Sequence, residues 1–146
     1  MKKRELNYNF ASADLIRVYE AIVDLRKYGN YHPVMTSVEI VGDKGGNIEY
    51  EVKEKIKILG FIPMKPVYRV TVNEVEKGRI IRYDSTVKKN VKLEIVFTFN
   101  QSSQGLQVKE EITVTAGWPI AGIFMNLLEK MHVKVMNNIK NPNYKK

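Results

Sequence analysis

The chain has 146 residues, 44% of them apolar, and a formal net charge of +8. This length supports one well-buried core and is too short for two ordinary domains, so we expect a single domain over residues 1–146. The sequence contains no cysteine, which excludes disulfides, thiol nucleophiles and thiolate metal ligands.

The positive charge is concentrated in the two end segments, and no basic helix face is interleaved with aromatic residues. We therefore expect no nucleic-acid partner. No apolar run reaches the roughly twenty residues of a membrane span. The basic N-terminus leads into an alternating strand pattern and not into the apolar segment of a signal peptide. The sequence thus predicts a cytoplasmic protein without integral membrane association, and it leaves the oligomeric state open.

Alternating apolar residues predict a first strand over residues 4–10. Ser12 is then expected to cap a first helix, whose apolar residues recur at three-and-four spacing from Leu15 to Val23. A second short helix is predicted over residues 25–30. Tyr31-His32-Pro33 ends it, because the residue before a proline favours extended backbone.

Six further strands are predicted, the first reaching residue 41 and the others covering residues 48–58, 67–75, 79–87, 91–100 and 106–116. A glycine-rich turn at residues 42–47 makes the first two a hairpin, and a proline-broken apolar loop occupies residues 59–66. A long helix over residues 119–139 carries one apolar face, formed by Ile120, Ile123, Phe124, Leu127, Leu128, Met131 and Val135. The predicted fold is α+β: a curved seven-stranded antiparallel sheet wrapped around a long C-terminal helix, with two short helices after the first strand.

This layout resembles the START-like helix-grip superfamily, also called SRPBCC, which includes polyketide cyclase/dehydrase-like proteins and pollen-allergen-like ligand carriers. The resemblance covers nearly the whole chain. It is carried by Ser12-Ala13-Asp14 opening a helix, Val23-Asp24-Leu25 leading to Tyr31-His32-Pro33, the turn at residues 42–46, residues 68–76 followed by Gly78-Arg79-Ile80, and the terminal helix. It implies a hydrophobic cavity between sheet and helix. Members of similar layout include lipid carriers, aromatic cyclases, hormone receptors and chaperone activators, so the fold alone does not choose a function.

Strand alternation places two carboxylates on the apolar side of the sheet. Glu54 shares a face with Tyr50, Val52 and Ile56, and Glu110 lies in a similar apolar row. Because an unpaired buried carboxylate is costly, each needs a partner or a raised pKa. Glu54 and Glu110 are therefore candidates for binding the polar group of a ligand or for general acid–base catalysis. The alternatives are a bulge that turns them outward, or pairing with Arg69 or Arg82.

Three tyrosines are predicted to give the cavity aromatic walls with hydroxyl groups, namely Tyr50, Tyr68 and Tyr83. For Tyr83 this requires Ile81 and Ser85 to face inward with it, whereas the opposite register would turn Arg82 inward. The alternative function for these tyrosines is core filling, with hydroxyls reaching solvent. Trp118, where the last helix begins, and Phe124 on its apolar face complete the candidate ligand-binding residues.

Only two histidines are present, His32 in a loop and His132 on the flank of the last helix. Their spacing does not suit a metal site, so we expect neither metal nor cofactor. His32 is a candidate general base at the cavity mouth, the alternative being a surface residue. Phe61, Ile62 and Met64, in the loop held by Pro63 and Pro66, are candidates for a gate that opens for a ligand or makes transient contact with a membrane; the alternative is a simple cap on the sheet.

Three functions remain open at this level. The first is binding or transport of a small hydrophobic molecule, such as a lipid, an isoprenoid or an aromatic polyketide-like compound. The second is an enzyme of the cyclase/dehydrase type, in which cavity carboxylates, Tyr83 or His32 move protons; no catalytic residue is assigned. The third is a protein-interaction module that uses the outer face of the sheet or the basic ends.

Overall fold

The computed structural model describes residues 1–58 and 60–146, apart from the side chain of Lys88. Leu59, the first residue of the predicted apolar loop, lies outside the described residues. In chain order the elements are β1 (Lys2–Phe10), a 3-10 turn (Ser12–Asp14), α1 (Leu15–Val23), α2 (Leu25–Tyr31), β2 (Met35–Lys44), β3 (Asn47–Glu54), β4 (Ile56–Ile58), β5 (Ile62–Met64), β6 (Val67–Glu76), β7 (Ile80–Lys88), β8 (Val91–Ser102), β9 (Gly105–Thr115) and α3 (Ile120–Lys140).

Seven of the strands form one antiparallel sheet in the order β1-β9-β8-β7-β6-β3-β2. Register shifts in the β2–β3, β6–β7 and β7–β8 pairs add local twist, which helps so large a sheet to curl. Alternate residues of β8 and β9 are buried along almost their whole length. The predicted helix-grip architecture is therefore confirmed.

The helices lie against the buried side of the sheet. The long helix α3 contacts β1, β9 and α2, while α1 contacts α2 and β6. The Tyr83 hydroxyl on β7 donates a hydrogen bond to the Ile22 carbonyl of α1, which fixes the short helices over the middle of the sheet. The buried core runs continuously from Tyr8 and Phe10 on β1 to Val135, Met136 and Ile139 at the end of α3.

Two local predictions need correction. Ser12 makes no capping hydrogen bond: residues 12–14 form a 3-10 turn and α1 begins at Leu15. The capping side chain is Asp24, which accepts from the Arg26 amide at the start of α2. The strand predicted over residues 48–58 breaks at Lys55, whose amide donates to the Val34 carbonyl and so leaves the β3–β6 ladder.

The predicted loop contains a small hairpin of its own. β4 and β5 pair antiparallel as a separate two-stranded sheet, with Ile56 opposite Met64 and Ile58 opposite Ile62. Its base is joined to the main sheet by a hydrogen bond from the Glu54 amide to the Pro66 carbonyl. Two strands this short have little stability by themselves, so the hairpin depends on what it packs against.

The apolar face of α3 is rotated relative to the prediction. Ile120 and Ile123 are exposed, whereas Ala121, Met125, His132 and Met136 are buried. Among the residues that the structure describes, no helix is long and apolar enough to cross a membrane.

Candidate functional site

Two adjacent chambers lie between the sheet, the β4–β5 hairpin and α3. The outer chamber has a volume of about 60 Å³ and is bounded by Ile56, Ile58 and Met64 of the hairpin and by Phe124, Leu127 and Met131 of α3. The inner chamber has a volume of about 50 Å³ and lies deeper, against Tyr28, Tyr83 and His132. Five residues line both chambers: His32, Glu54, Tyr68, Leu93 and Leu128.

Glu54 and Tyr68 form the polar pair at the boundary of the two chambers. They meet because Glu54 is the last residue of β3 while Tyr68 is the second residue of β6, the neighbouring strand. The Tyr68 hydroxyl donates to Oε2 of Glu54. Burial raises the pKa of Glu54, and the Tyr68 hydrogen bond and the charge of His132 oppose this rise. Burial, together with the neighbouring carboxylate, raises the pKa of Tyr68 well above its usual range, so its hydroxyl stays protonated.

A second polar cluster lies behind the inner chamber. Glu110 is fully buried on β9 and accepts a hydrogen bond from the Tyr8 hydroxyl at 3.1 Å. Its other carboxylate oxygen hydrogen-bonds with Nδ1 of His132 on α3. The Tyr28 hydroxyl lies 3.2 Å from the same Nδ1. Since Glu110 accepts both bonds, His132 is the donor at Nδ1, and its Nε2 takes no part in this cluster, on a ring that lines the inner chamber.

His32 is buried and not a surface residue, so the surface alternative for it is wrong. Its Nδ1 accepts from the Val34 amide at 3.3 Å. Burial, reinforced by the positive charges of His132 and Lys146, lowers the pKa of His32 to about 3. The ring is therefore neutral at physiological pH, with its proton on Nε2.

The predicted ligand-binding residues divide into three groups. Glu54, Tyr68, Tyr83 and Phe124 line the chambers. Tyr50 and Glu110 are buried, but they lie outside the two linings. Trp118 is 91% exposed and lines neither chamber; it lies two residues before the start of α3.

Both carboxylates face inward, so the outward bulge does not occur, and neither pairs with an arginine. Arg69 pairs with Glu49 at 2.9 Å, and Arg82 pairs with Asp84 and Glu94, each at 2.9 Å. These arginines lie with their partners on the outer face of the sheet. Tyr83 faces inward, as the favoured register requires, and Arg82 is consequently outside.

The gate residues lie at the outer chamber. Met64 contributes to its wall, whereas Phe61 is 73% exposed and Ile62 is 43% exposed near the hairpin tip. The gate itself stays a prediction, but its position is suitable, since the hairpin separates the outer chamber from solvent and forms no ladder with the main sheet.

Two residues of the site were not anticipated. Tyr28 and His132 line the inner chamber, although the sequence placed His132 on the flank of its helix. A signal for His132 was present, because it lies four residues after Leu128 and three before Val135, on the same helix stripe. The described residues contain no cluster of three or more His, Asp or Glu side chains arranged to hold a metal ion.

No protein-family model matches this chain, and no curated protein matches it in sequence. Solved structures do match. They include the di-domain ARO/CYC StfQ from the steffimycin biosynthetic pathway, at 12% identity and a TM-score of 0.71, over 94% of this chain and 49% of that one. This chain thus spans about half the length of that di-domain protein.

Two of the other similar structures match over most of both chains. The Zhui aromatase/cyclase from Streptomyces sp. R1128 is 15% identical, with a TM-score of 0.66, over 94% of this chain and 92% of the other. A START superfamily protein from Mycobacterium smegmatis is 11% identical, with a TM-score of 0.65, over 94% and 95% of the two chains. At these identities the likeness concerns the fold, and on that basis the chain has the START-like helix-grip fold that its sequence predicts.

Proposed function

We propose that this protein binds a small hydrophobic molecule in the paired chambers between the sheet and α3. The observation that carries the proposal is the lining. The outer chamber is mainly apolar, the pair of Glu54 and Tyr68 lies at the boundary of the chambers, and the inner chamber adds a small set of polar side chains, which are Tyr28, His32, Tyr83, Ser85 and His132. Binding sites for small molecules are typically concave and apolar, with a few polar groups that orient the ligand. The START-like neighbours support the same general role.

The size of the chambers favours a compact ligand. Even together, at about 110 Å³, the chambers are smaller than the cavity of roughly 150 Å³ that can enclose a benzene ring, so a one-ring ligand would occupy both and would require some expansion. Sites for larger organic ligands span about 300–1,000 Å³. A long-chain lipid would therefore require a large outward movement of the β4–β5 hairpin, while an aromatic ring with short substituents would require a smaller one.

The hairpin offers the route of access. It forms no ladder with the main sheet, and its inner side chains pack across the outer chamber from α3. Opening the hairpin would expose the chamber without breaking the seven-stranded sheet. The exposed Phe61 and Ile62 would then make the transient membrane contact that the sequence suggests, with Lys57 and Lys65 nearby on the same segment.

Toluene should bind in the chambers, and blocking them should abolish the binding. In a two-dimensional amide NMR titration, we expect toluene to shift resonances of α3, β6 and β8 in the wild type. Leu128→Trp places a large side chain where both chambers meet, and it should weaken binding by at least about tenfold. Ile123→Trp, the same kind of change on the exposed side of α3, should leave the affinity unaltered.

Because Leu128→Trp can also disturb folding, Leu93→Phe serves as a second blocking variant, and the dispersion of each NMR spectrum reports whether the variant is folded. Shifts confined to the protein surface, or equal binding by folded blocking variants and wild type, would contradict the proposed site.

The buried cluster also favours a second candidate function, an enzyme of the cyclase type. His132 is held at Nδ1 by Glu110, which leaves its Nε2 as a base on a ring that lines the inner chamber. A histidine positioned in this way by a carboxylate is a common device for moving protons between carbon and oxygen. Glu54 lines the same chamber and would supply a second proton carrier.

Proton transfer can be tested without knowing the substrate. If the enzyme proposal holds, the wild type should accelerate exchange of the methyl protons of acetophenone in D₂O, followed by NMR. His132→Gln should lower this acceleration by about a hundredfold, within the usual contribution of a general base. His32→Asn is the control, since it changes the other histidine of the chamber. Exchange no faster than in buffer, or equal rates in wild type and His132→Gln, would argue for binding alone.

A further inference from the structure

We propose that the chambers select ligands whose polar end is a hydrogen-bond donor, an ammonium or a hydroxyl group, and exclude carboxylates and other anions, with Glu54 as the selecting residue. This inference rests on the proposed function, since it specifies the chemistry of the ligand in that site. It follows from the charges around the chambers, the free oxygen of Glu54 and the way the two histidines are held.

Apart from the two histidines, the charged side chains at the chambers within the described part of the chain are carboxylates. Among the residues that the structure describes, no lysine or arginine lines either chamber. Glu54 borders both, and Glu110 lies directly behind the inner one. An anion entering this space would lose hydration next to like charge and would meet no cation in the wall, which is unfavourable in a medium of low dielectric constant.

One oxygen of Glu54 is available to a ligand. Its Oε2 accepts the hydrogen bond from Tyr68, and no donor within the described part of the chain reaches Oε1. No buried polar side-chain atom among these residues lacks a partner, so Oε1 borders open space. A half-buried carboxylate oxygen of this kind is completed by a donor, and an ammonium or hydroxyl group supplies one in a charge-assisted hydrogen bond.

The positive groups nearby do not reverse this preference. Any positive charge on His132 is balanced by its direct partner Glu110. The His32 ring is neutral and offers a single donor at Nε2. Lys146 influences His32 from a distance, but its ammonium group is held by the carbonyl oxygens of Gly29 and Met35 and does not line the chambers.

Two of the three tyrosine hydroxyls around the chambers already donate to protein acceptors. The Tyr68 hydroxyl donates to Glu54 and that of Tyr83 donates to the Ile22 carbonyl. The Tyr28 hydroxyl lies beside His132 Nδ1, which donates to Glu110, so Tyr28 keeps its own proton as a neutral donor in the inner chamber. Strong anion sites usually add a cation to such donors, and no lysine or arginine among the described residues lines this wall.

The test uses three probes that share one ring and differ in the polar end: benzylamine, benzyl alcohol and benzoate, with toluene as reference. Their dissociation constants are measured by amide NMR titration at near-neutral pH, for the wild type, Glu54→Gln and the control Glu39→Gln, which changes an exposed carboxylate on β2. Glutamine keeps an oxygen that accepts from Tyr68 and removes the charge, so the fold is preserved.

In the wild type and in Glu39→Gln, benzylamine should bind at least about tenfold more tightly than benzoate. In Glu54→Gln this ratio should fall by about tenfold. Benzyl alcohol shows which donor the site requires. If it binds about as tightly as benzylamine, a hydroxyl group is sufficient for recognition by Glu54. If it binds only as weakly as benzoate, the selected polar end is an ammonium group.

A wild-type ratio below about tenfold, or a ratio that Glu54→Gln leaves unchanged, overturns the inference while toluene binding still upholds the proposed function. If toluene and all three probes fail to bind, the proposed function itself fails, and the selectivity inference fails with it. The two failures are therefore distinguishable in one set of titrations.

Discussion

Glu110→Ala is expected to lower the free energy of unfolding by about 3–5 kcal/mol, the usual cost of removing one member of a buried ion pair. Glu110 is fully buried and is the acceptor for both the Tyr8 hydroxyl and His132 Nδ1. Alanine would leave both donors without an acceptor and would open a void beside β1 and α3. Urea unfolding followed by circular dichroism measures the loss.

Glu111→Ala is the matched control. Glu111 is the next residue of β9, and it faces outward with only a surface pairing to Lys109 at 3.4 Å. Its replacement should change the free energy of unfolding by less than about 1 kcal/mol. Equal losses for the two variants would show that Glu110 does not act as a buried partner.

A variant that replaces the whole cluster shows whether its hydrogen bonds or only its packing volume stabilises the fold. Tyr28 belongs to the same cluster, since its buried hydroxyl lies beside His132 Nδ1. Replacing all four side chains together with apolar residues, as in Tyr8→Phe, Tyr28→Phe, Glu110→Leu and His132→Leu, leaves no side chain of the cluster with an unpaired donor or acceptor. Since apolar replacements of whole buried ion pairs are often neutral or stabilising, this variant should be more stable than Glu110→Ala. The cluster is then retained for its placement of His132 beside the chamber, not for stability.

The second large expected effect is the loss of folding stability at acidic pH. We expect wild-type stability to fall between about pH 6.5 and pH 3 by up to about 1.4 kcal/mol per pH unit through His32 alone. In the unfolded chain His32 takes up a proton near its ordinary pKa of 6.5, whereas in the folded protein burial lowers its pKa to about 3. The unfolded state therefore binds more protons throughout this window, so lowering the pH favours unfolding.

His32→Asn isolates this contribution. The asparagine oxygen can replace Nδ1 as acceptor for the Val34 amide, and it does not titrate. Between neutral pH and about pH 5, the wild type should lose about 2 kcal/mol more than the variant. Glu54, His132 and Lys146, the other charged groups around His32, are unchanged in both proteins, and the raised pKa of Glu54 acts in the opposite direction. Parallel pH profiles for the two proteins would contradict the buried, neutral state of His32.

The fold was predictable because its signals are local. Period-two alternation in β8 and β9 and three-and-four spacing in α1 and α3 follow from the geometry of a single strand or helix. Glu54, Glu110 and Tyr83 were placed on the inner face by the same alternation, and burial agrees. Strand periodicity alone therefore placed the carboxylates of Glu54 and Glu110 near the site, although it did not indicate their partners.

Partners were not predictable in this way. Glu110 contacts His132 and Tyr8, which are 22 and 102 residues away in the chain. Arg69 and Arg82, the partners considered from the sequence, lie on the outer face of the sheet, because strand alternation turns them outward. The pairing depends on how α3 lies over β9 and β1, which is a matter of packing between elements. His32 does lie in a loop, but its burial was not predictable, because nothing in its immediate sequence indicates that α3 and the sheet cover it.

The sequence by itself therefore determined the strands and helices, the curved sheet with its C-terminal helix, and which side chains face inward, because these depend on periodicity along the chain. Only the tertiary structure decided the volume of the chambers, the rotation of α3 that exposes Ile120 and Ile123 and buries His132, and the pairing of each buried charge. These features depend on the distances between elements that are far apart in sequence. Rotating one helix by part of a turn changes which of its side chains are buried and which partners they reach.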